Sequence, residues 1–139
     1  MQDVRWQQRY ANYSKIVNLL NLELAEKNIA DFSELEQSGI SQWFELSYEL
    51  LWKLLKDYLE FQEVEIGLLS PKNVLKIAAS SGLLEQIAVD GEMLIEMHQS
   101  RNELTHIYDD EKALVILNFV QNNYIHQMIK IDDYFGKLI

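Results

Sequence analysis

Six apolar side chains near the start of the chain, Trp6, Tyr10, Tyr13, Val17, Leu20 and Leu24, follow one another at intervals of four and three residues. That alternation puts all six on one stripe of an α-helix, over about residues 3 to 29. Further helical stretches follow. Ser33 can cap a second helix while Glu36, three residues on, reaches back to it, as in a capping box. From there Ile40, Trp43, Phe44, Leu50, Leu51, Leu54, Leu55, Tyr58 and Leu59 form a broad apolar face. Glu49 with Lys53, and Lys56 with Glu60, are four apart and expected on the outer face. Ser38-Gly39 is expected to kink or break the first turns. Ser70-Pro71 opens a short helix running to about Ser80 and stopping near Gly82. Asp90 can cap a fourth helix over about 91 to 108. A fifth, about 111 to 138, repeats Leu114, Leu117, Val120, Tyr124, Ile131 and Phe135.

One proline and five glycines are too few for a turn-rich sandwich or barrel. With 139 residues, 48% of them apolar, the chain suits a single domain over 1–139 with a real core. The expected fold is therefore all-α, an up-and-down bundle of four to five helices. Without cysteine there is no disulfide framework and no thiol nucleophile. No apolar run is long enough to span a bilayer, and the polar start does not read as a signal peptide. The expected location is cytoplasmic, with no membrane association. A net charge of −10 argues against nonspecific nucleic-acid binding, which needs Lys and Arg on phosphates.

Phosphate loops, H-E-x-x-H and G-x-S-x-G are all missing from the sequence. The stretch Ser100 to Tyr108 is different. Leu94, Met97, Arg101, Leu104 and Tyr108 share one stripe, so a cation sits on an apolar seam, where charge needs a partner or a wet cleft. Asn102 and His106, four apart, stack on the neighbouring face. Arginine offers a charged fork for phosphate oxygens, and histidine moves protons near neutral pH. The same residues also fit a purely structural arrangement: an Arg paired with a core acid, a surface His and a core Tyr.

The run Arg101, Asn102, three residues, His106, then Tyr108 two positions later resembles the extended motif of the HEPN superfamily. The stretch Phe44-Glu45-Leu46-Ser47-Tyr48-Glu49-Leu50-Leu51-Trp52-Lys53 and the Ser70-Pro71 opening are similar to the bacterial nucleotidyltransferase substrate-binding proteins of that superfamily. The resemblance spans nearly the whole chain.

It implies a homodimer whose motif helices meet at the two-fold axis, and a metal-independent ribonuclease without a cofactor. In that transfer His106 is the general base or acid, Arg101 steadies the phosphorane and Asn102 holds phosphate or His106. Tyr108 is the residue to which a separately encoded minimal nucleotidyltransferase adds AMP, silencing a toxin. The chain is not that transferase, because no Gly-Ser dipeptide occurs in it. The alternative is a non-catalytic subunit that binds a nucleotide or substrate for the partner enzyme.

Overall fold

The computed structural model describes residues 4–106 and 109–139. Its elements are α1 (Arg5–Leu24), α2 (Glu34–Phe61), α3 (Pro71–Ser80), α4 (Leu83–Ile87), α5 (Gly91–His106), α6 (Asp110–Phe119) and α7 (Ile125–Gly136). A 3-10 turn, Ile29–Asp31, lies between α1 and α2, and a π segment, Val120–Tyr124, joins α6 to α7. No strand occurs among the described residues, so the fold is all-α as expected. No helix among them is long and apolar enough to cross a membrane.

The α1 stripe is realised: Trp6, Tyr13, Val17, Leu20 and Leu24 are buried and Tyr10 packs against the core. It faces α2 on one side and α7 on the other. Tyr13, fully buried, donates its hydroxyl to the Met128 carbonyl at 2.8 Å, which ties α1 to α7. At the end of the bundle Trp6 meets Tyr58 edge-on at 5.3 Å and Phe135 at 5.8 Å. Burial of such aromatic and aliphatic side chains removes the most apolar surface from water and supplies the main driving force.

The central helix is α2. It begins with the anticipated capping box, Ser33 Oγ accepting from Glu36 N at 3.1 Å and Glu36 Oε1 from Ser33 N at 2.9 Å. It then runs through Ser38-Gly39 without a break, contrary to expectation. A glycine costs about 1 kcal/mol in a helix, and burial of Ile40 and Phe44 just beyond outweighs that. Asp57 was not anticipated. Its carboxylate is buried, with Arg9 Nε of α1 and Lys56 Nζ each 3.0 Å away. Burying that charge is tolerable because cations compensate it.

Ser70 caps α3 and Pro71 opens it; Gly82, at φ 87°, follows its end in the left-handed region that suits glycine. The short α4, unanticipated, tucks Leu83, Leu84 and Ile87 into the core before Ala88 turns the chain at φ 68°. Asp90 Oδ1 accepts from Glu92 N and Met93 N, capping α5. Asp109 likewise accepts from Glu111 N at the start of α6.

The expected fifth helix is present as α6 and α7 joined by the π segment, and Leu117, Val120, Tyr124, Ile131 and Phe135 of its stripe are buried. Both Tyr124 and Ile125 are buried at the π segment, which absorbs one extra residue in its turn. Gln121 within it braces the α1–α2 connection: its Oε1 accepts from Ile29 N, and its Nε2 reaches the Leu24 and Lys27 carbonyls at 2.9 and 2.8 Å.

Ser33→Ala should cost about 1 kcal/mol of stability, the usual value of an N-cap. Urea denaturation should give a lower midpoint at an unchanged slope.

Candidate functional site

Of the described residues of α5, only Leu94 and Met97 are buried. Arg101 and Leu104 continue the same stripe half-buried, so the seam with a cation on it exists as read from the spacing. What compensates the cation is Glu49 of α2, whose Oε2 lies 3.0 Å from Arg101 Nη2. The side chains are 30% and 29% exposed, which makes this a rim pair and not a fully desolvated one. Such a pair contributes up to about 1 kcal/mol. Glu49 does bond Lys53 four residues on, at 3.1 Å, but it is not on the outer face: it turns toward α5. Lys56 and Glu60 pair as expected, at 3.5 Å.

Around Glu49 a polar network has formed. Trp52 Nε1 donates to Glu49 Oε2 at 3.1 Å. Burial pushes the Glu49 carboxyl up, but bonds from Trp52 and Lys53 and the charges of Lys53 and Arg101 overcome that, and it lies below its ordinary range. Arg101 Nη1 donates onward to Asn102 Oδ1 at 3.2 Å. With its oxygen thus taken, Asn102 presents its NH2 to His98 Nε2, 3.3 Å away. The ring must accept there, so His98 is neutral with its proton on Nδ1. The Nδ1 atom is buried and has no hydrogen-bond partner among the described residues. Burial first, then the positive charges of Lys72 and Arg101, hold the His98 pKa below its usual value.

The same face includes Tyr48, whose ring stands 5.8 Å from His98 and whose buried hydroxyl has no partner among the described residues. Burial raises its pKa, against the pull of the Arg101 charge. Thr105 Oγ1 is 2.8 Å from Glu45 Oε1 and 3.0 Å from the Arg101 carbonyl. On the other flank of α5, Ser100 Oγ and Tyr124 Oη are 2.9 Å apart, and Tyr124 stacks on Phe44 at 5.8 Å.

The four residues singled out from sequence fare differently. Arg101 is held by α2 and by Asn102. Asn102 is exposed and engages His98, one turn earlier, instead of His106 one turn later. His106 is the exposed last residue of α5, with no hydrogen bond or ion pair to any other described residue. Tyr108 lies outside the described residues. Five residues separate Arg101 from His106, about 140° around a helix, so one copy of α5 does not aim both at a single phosphate. His98 was missed, although its spacing of four from Asn102 was the available signal. Glu49 could not be found that way, because 52 residues separate it from Arg101.

The family described as nucleotidyltransferase substrate binding protein like matches residues 8–135. The chain belongs to that family. The family lies within the HEPN group, so the resemblance carried by residues 44–53 and 101–108 holds at the family level. No curated protein matches the chain. In this substrate binding protein-like chain the match takes in the elements from α1 to α7, including both α2 and α5, whose side chains make the polar network.

Two-dimensional NMR of the ring protons should show His98 titrating below the ordinary value of about 6.5. Arg101→Ala should move its midpoint upward, since a neighbouring positive charge is lost. A folded pKa below the unfolded one means that the stability linked to His98 is complete above about pH 6.5. It is lost as pH falls through the depressed folded value.

Proposed function

We propose that this chain is the partner of a separately encoded minimal nucleotidyltransferase and that its homodimer is a metal-independent ribonuclease acting through α5. The observation that carries the reading is the contrast on that helix: a guanidinium held in place by Glu49 and Asn102, and an exposed imidazole at the same helix's end. A cation fixed in advance is what stabilises developing negative charge at low reorganisation cost, and an unengaged His106 is free to move protons.

In the proposed step His106 takes the proton of a ribose 2′-hydroxyl, and the oxygen attacks the adjacent phosphorus. The P–O5′ bond breaks, the leaving 5′-oxygen of the next nucleotide takes a proton from solvent water, and a 2′,3′-cyclic phosphate remains. Arg101 keeps its bond to Glu49 and turns its remaining N–H groups to the phosphorane oxygens, and Asn102 orients the phosphate. The 140° separation of Arg101 and His106 supports a composite site, with Arg101 from one protomer facing His106 of the other across the two-fold axis.

RNA incubated with the purified chain should be cut in EDTA and end in cyclic phosphate. His106→Ala and Arg101→Lys should each reduce cutting by orders of magnitude, since Lys lacks the planar fork. Mixing the two inactive variants should restore activity, because each mixed dimer keeps one intact composite site. If no RNA is cut under any condition, or if His106→Ala still cuts, the nuclease reading is lost.

The second reading is a non-catalytic subunit that binds a nucleotide or substrate for the transferase. It is favoured by the neutralisation of Arg101 by Glu49 and by the net charge of −10. Tyr108 is proposed under the first reading as the acceptor of AMP from the partner enzyme. Mass spectrometry of the co-expressed pair should find one AMP on the Tyr108 peptide; recovery of that peptide only unmodified beside an active transferase rejects the assignment.

A further inference from the structure

A groove of about 690 Å³ runs between α3 and the start of α5, away from Arg101 and His106. Its floor is aliphatic, made by Leu75, Ala79, Leu84 and Ile95. The two walls carry opposite charge. Lys72 and Lys76, one turn apart on α3, make no ion pair among the described residues, and Asp90 and Glu92 stand at the α5 end. Two unpaired neighbouring lysines are a local exception in a chain of net charge −10. Ile95 is 41% exposed on the groove, and the loop entering α3 exposes Leu68 and Leu69 at 74% and 57%.

A nucleic-acid strand suits this groove poorly. Unstacked bases are held on aromatic rings or guanidinium planes, and neither lines it; the Asp90 and Glu92 wall repels phosphates. An amphipathic helix uses every feature. Its apolar stripe fills an aliphatic floor, and oppositely charged flanks fix its orientation.

The geometry points to the α3–α5 groove as the docking surface for an amphipathic helix of a partner protein. That helix carries carboxylates on the flank facing Lys72 and Lys76 and cations on the flank facing Asp90 and Glu92. Under the function proposed above the partner is the nucleotidyltransferase, and the inference rests on that reading. The groove is lined by Gly91 and Ile95 of the helix that carries Arg101, less than two turns beyond Ile95, so a docked partner has its own grip beside the motif.

The test is a titration of the purified chain with the separately encoded nucleotidyltransferase, followed by hydrogen exchange of the complex. Lys76→Glu and Ile95→Glu should each weaken binding by about tenfold or more, with unchanged unfolding midpoints and unchanged RNA cleavage. Amides of residues 72–79 and 91–95 should exchange more slowly in the complex than in the free chain. If the wild-type complex forms but both variants bind equally well and those amides are unprotected, the docking surface is wrong and the proposed function stands. If the wild-type chain binds no nucleotidyltransferase, both fail. Protection of the same amides by a single-stranded RNA oligomer and not by the protein would reassign the groove to nucleic acid.

Discussion

The ion pair between Arg101 and Glu49 gives the motif helix a direction that burial of apolar surface does not supply. Only Leu94 and Met97 of the described α5 residues are buried, so burial of apolar surface alone sets the rotation of this helix loosely. A guanidinium on the seam adds a directional constraint, because it must meet a carboxylate in one geometry. With Arg101 turned to α2, His98 and Asn102 fall along the side toward α3, Ser100 reaches Tyr124, and His106 points to solvent. The Glu49 carboxylate is itself fixed by Trp52 and Lys53, so the constraint comes from a rigid part of the longest helix.

Much of this architecture can be read from local rules. The α1 stripe, the Ser33–Glu36 box, the Ser70-Pro71 opening, the Gly82 stop and the Asp90 cap each depend on residues within one helical turn of one another, and each is present. The uninterrupted start of α2 shows the limit of such rules. Propensity at Ser38-Gly39 is worth about 1 kcal/mol, less than the burial of Phe44 and Ile40 nearby. α4 has five residues, too few to leave a periodic signal, and its end at Ala88 uses a backbone conformation that alanine seldom adopts.

The site was legible in the same uneven way. The Arg101 stripe followed from spacing, as did the place of Asn102 on the neighbouring face. Partners across helices did not, since Glu49, Glu45 and Tyr48 meet α5 through the tertiary fold. Asn102 had two candidate histidines, each four residues away, and spacing alone cannot choose between them. The choice falls on His98 because that ring is partly sheltered beside Tyr48, while His106 sits at a solvent-facing helix end. The structural arrangement of an arginine paired with an acid is also partly realised, with an acid at the rim in place of one in the core.

The π segment bears on how this chain tolerates changes in length. The α6 length packs against α2, α5 and the 3-10 turn, and α7 packs against α1 and α4, with the wider π turn between them. The segment therefore works as a phase adjuster between the end of the bundle that holds the motif and the end closed by Trp6 and Phe135. An insertion or deletion on either side of residues 120–124 would turn one end against the other, whereas the α2–α3 connection at 62–69, anchored by the buried Ile66, lies outside that helix and can change length beyond the anchor without turning it. Relatives of this chain should accordingly vary in length at the α2–α3 connection and keep a constant count of residues from Asp109 to Phe135.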